Sequence, residues 1–298
     1  MRRLIGLLLC LALVSHLWAS EERPVLPLWP GKPPGVVPEG PEKDITRDKD
    51  NQVAGKRVMR LGGITQPSVT VFHPSQPAPG RPAVVVCPGG GYNILAWDLE
   101  GTEVCEWLNS LGITGVLLKY RVPAPKTGPR HASALMDAQR AVRLVRSRAA
   151  DWQIDPKKVG ILGFSAGGHL ATMTALAQQE STYEPIDAID KLSARPDFAV
   201  LIYPAYLTTP KRDALADNVT VTKQTPPMFL AHAGDDPVPA ESSVLLYLAL
   251  KKAGVKAELH VYDRGGHGYG LRRTGLPVAD WPKRCEEWLR VQGLLAKP

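Results

Sequence analysis

The chain has 298 residues, of which 44% are hydrophobic and 22% are charged, a composition typical of a globular protein and unlike that of a disordered one. Its net charge of +7 comes from lysines and arginines scattered along the sequence, so the basic patch of a nucleic-acid-binding protein is not expected. The cysteines lack metal-ligand spacing. We expect Cys87, Cys105 and Cys285 to be buried free thiols, with one disulfide as the alternative.

The first residues form a segment unlike the rest of the chain. Arg2 and Arg3 precede an apolar run over residues 4–17, and the small residue Ala19 suits a cleavage position. The run is too short to span a bilayer. We therefore predict that residues 1–19 are a signal peptide, that the mature protein is secreted or periplasmic, and that no stable membrane anchor remains after cleavage.

A segment rich in proline and glycine follows, over residues 20–56. These residue types disfavour a helix or a central strand, so we predict an extended arm. The sequence leaves open whether Leu26, Leu28 and Trp29 pack along the body of the protein. Over residues 57–298, short apolar runs alternate with amphipathic segments, which predicts one domain whose strands are joined through helices into a mostly parallel sheet.

Seven runs in this domain are predicted strands, and several are apolar throughout, as strands buried on both faces are. They cover residues 69–72, 83–87, 115–120, 159–164, 198–203, 228–232 and 257–262. Residues 131–150 carry apolar side chains at spacings of three and four, with Arg140 and Arg143 opposite, which predicts a surface helix. Pro239 and Gly254 bracket a second predicted helix.

The first candidate catalytic motif is Gly163-Phe164-Ser165-Ala166-Gly167, which lies between a predicted strand and an apolar helical run. A serine at such a turn takes strained backbone angles, and the flanking glycines let the helix pass close to the strand. Ser165 is therefore the predicted nucleophile of a nucleophile elbow. The five-residue pattern is weak evidence by itself, so the interpretation depends on what surrounds it.

A glycine cluster, Pro88-Gly89-Gly90-Gly91-Tyr92, follows the predicted strand over residues 83–87. Glycine lets backbone N–H groups approach a substrate oxygen closely. We predict an oxyanion hole formed by the N–H groups of Gly90 or Gly91 and that of Ala166, the residue after the nucleophile. A plain tight turn is the alternative interpretation.

Asp235 and Asp236 stand just beyond the buried strand over residues 228–232. We predict that Asp236 orients the catalytic base, because it immediately precedes the proline that turns the chain into the next helix. Asp235 is the alternative, and whichever carboxylate is not used would stabilise the turn. A purely structural turn would also fit the pattern.

His267 lies on the glycine-rich loop after the last predicted strand, where it has the freedom to reach the serine, and it is the predicted general base. Its rivals, His169 and His232, fall inside a helix and a strand, so we expect them to be structural. The order Ser165, Asp236, His267 along the chain is that of the α/β-hydrolase fold, whereas other serine-hydrolase folds use different orders.

These motifs resemble an α/β-hydrolase serine esterase, and more narrowly the bacterial acetylxylan and feruloyl esterase-like group, often labelled xylanase. The similarity spans residues 28–289 and is carried by residues 88–92, 119–123, 163–170, 235–238 and 266–268. It implies a central, mostly parallel sheet with helices on both faces, and a carboxylic-ester hydrolase that forms an acyl-enzyme. The substrate would be a small-molecule or polysaccharide ester, with no metal and no cofactor. Pro88 stands where many relatives have a histidine, but the glycines are intact.

Three other functions are weighed against this hypothesis. A serine peptidase of the prolyl-oligopeptidase type shares the fold and triad but normally carries a large additional domain. A glycosidase would need two opposed carboxyl groups, and Glu100 and Glu103 have no such setting. A non-catalytic binding protein has no need of serine, acid and histidine together. For Glu100 and Trp97, a substrate pocket and a core or helix-capping role remain equally open.

Overall fold

A computed structural model describes residues 23–76, 78–177 and 181–295. The predicted signal peptide, residues 1–19, lies outside these ranges. Within them, no helix combines the length and the apolar character that crossing a bilayer requires.

One sheet of eight strands organises the fold. Its spatial order is β1 (Val25–Pro27), β4 (Ser68–Phe72), β7 (Thr114–Lys119), β5 (Arg81–Cys87), β8 (Ile154–Phe164), β9 (Phe198–Ile202), β10 (Met228–Ala233) and β11 (Ala257–Tyr262). Neighbours are antiparallel from β1 to β7 and parallel from β7 to β11. The carboxyl ends of the parallel strands therefore meet at one edge, where sites of such folds lie. A second sheet joins β2 (Lys43–Asp44), β3 (Arg60–Gly62) and β6 (Leu95–Ala96).

Helices cover both faces of the large sheet. One hydrophobic core includes apolar residues of α2 (Ala132–Ser147), α3 (Ser165–Leu176) and α4 (Glu241–Lys252), and a second includes those of α1 (Glu103–Ser110) and α5 (Trp281–Val291). Because side chains alternate along a strand, Val85 enters the first core while Val84 and Val86 enter the second. The predicted α/β-hydrolase architecture is confirmed, and all seven predicted strands are present. Six of them agree with the prediction within two residues at each end, whereas β8 begins at Ile154, five residues before the predicted start.

The arm is part of the domain and does not lie apart from it. Residues Val25–Pro27 pair antiparallel with β4 as an edge strand, and Leu28 and Trp29 are buried in the core. The buried Arg121 guanidinium donates to the carbonyl oxygens of Pro34 at 2.6 Å and Val36 at 3.0 Å. Proline-rich chain is tolerated here because an edge strand leaves one side of its backbone unpaired.

The prediction that helix α2 exposes Arg140 and Arg143 to solvent is wrong. Arg140 and Arg143, expected on its solvent face, are only 2% and 3% exposed. Arg140 forms ion pairs with Asp187 and Asp190 at 2.6 and 2.9 Å, and Arg143 donates to the Tyr183 hydroxyl at 2.8 Å. The chain around residues 183–190 therefore covers a helix face whose polar residues had predicted exposure.

The three cysteines of the domain, Cys87, Cys105 and Cys285, are buried and free. The expectation of free thiols is thus met, and the alternative of one disulfide among them is not.

Candidate active site

Ser165 lies at the sharp turn where β8 ends and α3 begins. Its φ angle is +51°, a conformation that costs a non-glycine residue about 1–3 kcal/mol and is typical of functional sites. A Cβ atom at Gly163 would overlap the carbonyl oxygen of Gly167, and one at Gly167 would overlap that of Cys87. The two glycines therefore allow the elbow to pack directly against β8 and the end of β5.

Three segments from the same sheet edge bring Ser165, His267 and Asp236 together. Nε2 of His267 lies 2.9 Å from Oγ of Ser165, and Nδ1 lies 2.8 Å from Oδ2 of Asp236. These residues follow the carboxyl ends of β8, β11 and β10 respectively. The arrangement places an alcohol, an imidazole and a carboxylate in one hydrogen-bonded line, which is the geometry of an activated nucleophile.

The Asp236 carboxylate is buried and well supplied with donors. Its Oδ1 accepts a hydrogen bond from the Val238 N–H at 2.7 Å. Burial by itself would raise its pKa, but hydrogen bonds from His232 and His267, the His267 charge and the Val238 N–H together hold the pKa of Asp236 below its usual value. The group is therefore ionised at neutral pH, as a carboxylate that orients an imidazole must be.

Asp235 has a different role in the same turn. Its Oδ1 accepts hydrogen bonds from the N–H groups of Gly265 at 2.9 Å and Gly266 at 2.7 Å. These glycines immediately precede His267, so Asp235 shapes the loop that carries the imidazole while Asp236 contacts the ring. Of the two candidates, the geometry therefore favours Asp236 as the orienting acid.

The glycine cluster after β5 lies against the elbow. The Gly89 N–H is already used, since it donates to Oε2 of Glu100 at 2.6 Å. Across the described ranges, the N–H groups of Gly90 and Gly91 have no acceptor. Ala166 is in the first turn of α3, where N–H groups have no partner within the helix. The three predicted donors are thus available to a substrate oxygen.

The two rival histidines are held in internal hydrogen bonds. Nδ1 of His169 lies 2.8 Å from the Tyr92 hydroxyl, and burial together with the nearby His131 lowers the pKa of His169 to about 3. Nδ1 of His232 lies 2.8 Å from the Ser243 hydroxyl. Both rings support the fold around the site, in line with the structural role expected for them.

Two tyrosines at the site carried no sequence signal. Tyr203 follows β9 and Tyr206 lies three residues later, with φ angles of +40° and +58°. The Tyr203 ring contacts the imidazole of His267 with centroids 4.9 Å apart. Aromatic residues after a strand ordinarily indicate core packing, so only the tertiary structure reveals their position. Glu100 is only 3% exposed and both of its oxygens accept hydrogen bonds from the protein, which favours the core role over a substrate contact.

Comparisons with known proteins agree with this geometry. A family model described as BD-FAE matches residues 69–202, and that of the prolyl oligopeptidase family matches residues 208–290. The acetylxylan esterase of Xylanibacter ruminicola is 32% identical over 246 residues, covering 74% of this chain and 47% of its own length. Endo-1,4-beta-xylanase B of Butyrivibrio fibrisolvens is 32% identical over 208 residues, covering 63% of this chain and 32% of its own. The chain spans about half the length, or less, of these two curated relatives.

Solved structures extend the similarity over nearly the whole chain. The acetyl ester-xyloside bifunctional hydrolase of Caldicellulosiruptor lactoaceticus is 32% identical, with a TM-score of 0.73 over 92% of this chain and 97% of its own. The propionate-bound esterase Est2 of Thermogutta terrifontis is 26% identical, with a TM-score of 0.64 over 78% of this chain and 92% of its own.

Proposed function

Because the chain belongs to the α/β-hydrolase esterases, we propose that it is a serine carboxylic-ester hydrolase that removes acetyl or feruloyl groups from plant polysaccharides or oligosaccharides. The observation that carries the proposal is the contact of the His267 imidazole with both Ser165 and Asp236. By their names, one relative reported above is an acetylxylan esterase and another is an acetyl ester-xyloside bifunctional hydrolase, which supports acetylated xylan as the first substrate to test.

The reaction proceeds through an acyl-enzyme. Nε2 of His267 takes the Ser165 proton as Oγ attacks the ester carbonyl, and the ionised Asp236 stabilises the imidazolium that forms. The backbone N–H groups of Gly90 or Gly91 and of Ala166 hold the oxyanion. Collapse breaks the ester C–O bond, and His267 gives its proton to the departing alcohol. Water then enters by the same route and releases the carboxylic acid.

Tyr206 supports a carbohydrate as the alcohol part of the ester. The residue is 45% exposed, and its ring stacks on that of Tyr92 with centroids 6.2 Å apart, beside the glycine cluster. The backbone N–H of Ala205 donates to the Ser165 carbonyl at 3.0 Å, which ties this segment to the nucleophile. The Arg130 guanidinium lies 5.1 Å from the Tyr206 ring centroid. A half-exposed phenol and a guanidinium offer an apolar edge and donors for sugar hydroxyls.

We further propose that the protein acts outside the cytoplasm, after removal of residues 1–19, on small-molecule or polysaccharide esters and not on nucleic acid. The argument is the sequence of the N-terminal segment together with the size of a polysaccharide substrate. Expression of the full chain in a bacterial host, followed by mass spectrometry of the exported protein, tests it. A mature N-terminus at residue 20 supports export, whereas an uncleaved chain confined to the cytoplasm contradicts it.

The decisive experiment measures acetate and ferulate release from native xylan by the purified mature chain. Ser165→Ala is the control, and chemically deacylated xylan is the substrate control. The proposal expects product from native xylan with the wild type alone. Hydrolysis of simple aryl esters, without any release of acetate or ferulate from xylan, would overturn the substrate assignment. The assignment as an esterase would still hold.

A peptidase is the second candidate, because the match to the prolyl oligopeptidase family covers residues 208–290 and so includes Asp236 and His267. An acid and a base in this arrangement serve ester and amide hydrolysis alike. Assaying a proline-containing peptide beside p-nitrophenyl acetate separates the two. We expect ester hydrolysis to exceed peptide hydrolysis by orders of magnitude, and the reverse ranking would favour the peptidase.

A further inference from the structure

Glu100 is a buried carboxyl group behind the active site. It lies in a π-helical turn, Asp98–Thr102, that leads into α1. Its two oxygens accept hydrogen bonds from two different parts of the site: Oε2 from the Gly89 N–H at 2.6 Å and Oε1 from the Tyr203 hydroxyl at 2.8 Å. Single-turn π segments inside helices occur frequently at functional sites, and this one aims a carboxyl group at both partners.

The hydrogen bond from the Gly89 N–H to Glu100 holds the oxyanion loop, residues 88–92, in place. A Cβ atom at Gly89 would lie 2.5 Å from Oε2 of Glu100 and 3.0 Å from Cβ of Ser165, so the peptide is held between the carboxyl group and the nucleophile. Gly89 is bonded covalently to Gly90, a predicted oxyanion donor. Holding the Gly89 N–H therefore restricts the direction in which the following N–H groups point.

The hydrogen bond from the Tyr203 hydroxyl to Glu100 holds the loop that carries the general base, from His267 to Arg272. The Tyr203 ring packs on the His267 imidazole, and its hydroxyl accepts a hydrogen bond from the Gly270 N–H at 3.2 Å. Two neighbours of Glu100 hold the same loop, since Asp98 and Glu103 bind the Arg272 guanidinium at 3.0 and 2.8 Å. The turn that carries Glu100 thus supports the loop from His267 to Arg272 from behind.

We propose that Glu100 is a positioning residue that sets the oxyanion donors and the general base at a fixed separation. The inference rests on the proposed ester hydrolysis. Glu100 connects the two loops: it contacts Gly89 directly, and it reaches the loop from His267 to Arg272 through Tyr203. A misplacement of about 1 Å between such groups can cost on the order of a hundredfold in rate. Burial raises the pKa of Glu100, while the hydrogen bonds from Tyr203 and Gly89 and the His267 charge oppose that rise.

The test uses Glu100→Met, which removes both acceptors at similar volume, and Glu100→Gln, which keeps one acceptor oxygen. Titration with diethyl p-nitrophenyl phosphate counts the competent serines, and kcat is then expressed per competent site. We expect Glu100→Met to lower kcat per site by about a hundredfold, with KM for p-nitrophenyl acetate within about threefold of the wild-type value and partial rescue in Glu100→Gln.

Asp190→Asn is the matched control. Asp190 is also a buried carboxyl group that accepts a tyrosine hydroxyl, that of Tyr183 at 2.5 Å. Its other partners within the described ranges are Arg140 and Arg143 of α2 and the Ile186 N–H, and none of them belongs to the site loops. This variant should lose thermal stability and keep the wild-type kcat per site. A merely structural Glu100 would give the same result as Asp190→Asn, and that result would overturn the inference.

If Glu100→Met fails to fold, Tyr203→Phe removes the hydroxyl that donates to Glu100 and accepts from the Gly270 N–H. We then expect kcat per site to fall about tenfold, at unchanged KM, because the two hydrogen bonds that link Glu100 to the loop of His267 are lost. An unchanged kcat in this variant contradicts the inference. A wild type that neither hydrolyses esters nor titrates would instead refute the proposed function itself.

Discussion

His267 and Asp236 are joined through one defined ring nitrogen, Nδ1, which lies 2.8 Å from Oδ2 of the carboxylate. Because an ionised carboxylate can only accept, we assign the imidazole proton to Nδ1. The other nitrogen, Nε2, is then the unprotonated one that faces the Ser165 hydroxyl at 2.9 Å. The tautomer that a general base needs is thus selected by the carboxylate and not by the serine.

Loss of either the nucleophile or the base should abolish most of the activity without unfolding the protein. We expect Ser165→Ala and His267→Ala each to lower kcat by about a thousandfold to a millionfold, because the members of a triad act as a unit. Hydrolysis of p-nitrophenyl acetate measures the loss, and circular dichroism checks the fold. A double variant no slower than either single variant would agree with joint action, whereas multiplicative losses would contradict it.

Substitution of the two neighbouring aspartates, Asp235 and Asp236, should lower kcat to very different extents. Asp236→Asn removes the charge that fixes the imidazole, so we expect kcat to fall on the order of a thousandfold. Asp235→Asn keeps an acceptor for the glycine N–H groups before His267 and should cost about tenfold at most. Steady-state kinetics of the two isosteric variants provide each other's control. A larger loss in Asp235→Asn would assign the orienting role to Asp235.

The half-exposed Tyr206 should affect sugar esters and not simple ones. We expect Tyr206→Ala to raise KM for acetylated xylo-oligosaccharides about fivefold, since an aromatic contact contributes roughly 1 kcal/mol. KM for p-nitrophenyl acetate should stay near the wild-type value. Tyr206→Phe, which keeps the ring, shows how much of the effect belongs to the hydroxyl. Equal changes in KM for both substrates would argue against a sugar contact.

His169 should make the fold sensitive to acid. Its pKa is lowered to about 3, whereas a histidine in the unfolded chain has a pKa near 6.5. Between these two pH values the unfolded chain therefore binds a proton at this position and the folded chain does not. Stability is therefore full above about pH 6.5 and is lost as the pH falls toward 3. Between pH 7 and pH 5 the loss should be about 2 kcal/mol.

Urea unfolding at the two pH values measures this dependence. His169→Gln should be less stable at pH 7 but should lack that part of the acid sensitivity. His260→Gln removes a half-buried imidazole on β11 and serves as the control substitution. The same pH dependence in His169→Gln as in the wild type would show that other groups cause it.

The contacts that Arg121 makes with the N-terminal arm should contribute measurably to the free energy of unfolding. Arg121 and Asp137 form an ion pair at 2.9 Å with both side chains fully buried. Arg121→Leu leaves the Asp137 carboxyl group unpaired and frees the arm carbonyl oxygens, so we expect a loss of about 3–5 kcal/mol in urea unfolding. Replacing both partners, as in Arg121→Leu with Asp137→Leu, should restore part of it. A single variant as stable as the wild type would show that the pair does not hold the arm.

The parts of the site that local sequence determines were predictable, and those that need distant contacts were not. The elbow is encoded within residues 163–167, and the positions of Asp236 and His267 follow from strands that end at one edge. In contrast, the hydrogen bond from Tyr203 to Glu100 joins residues 103 positions apart. No periodicity or motif indicates such a pairing.

The error at α2 has a similar cause. A helix with arginines opposite its apolar face has the pattern of a solvent-exposed helix. Arg140 is nevertheless buried, because Asp187 and Asp190 neutralise its charge. Asp190 lies in the short 3-10 helix Ala188–Lys191 and Asp187 is its N-cap, an element with no strong sequence signal of its own. The short edge strand Val25–Pro27 was missed for a related reason, since its pairing depends on β4 and not on its own composition.

The burial of Cys87, Cys105 and Cys285 has a consequence for handling the protein under oxidising conditions. Thiol exchange and oxidation require a thiolate, and burial raises the pKa of all three thiols, so the native chain resists both. The unfolded chain has no such protection. Labelling by a thiol reagent should therefore report the rate at which the native state opens, and oxidative damage should fall on newly made or heat-stressed molecules.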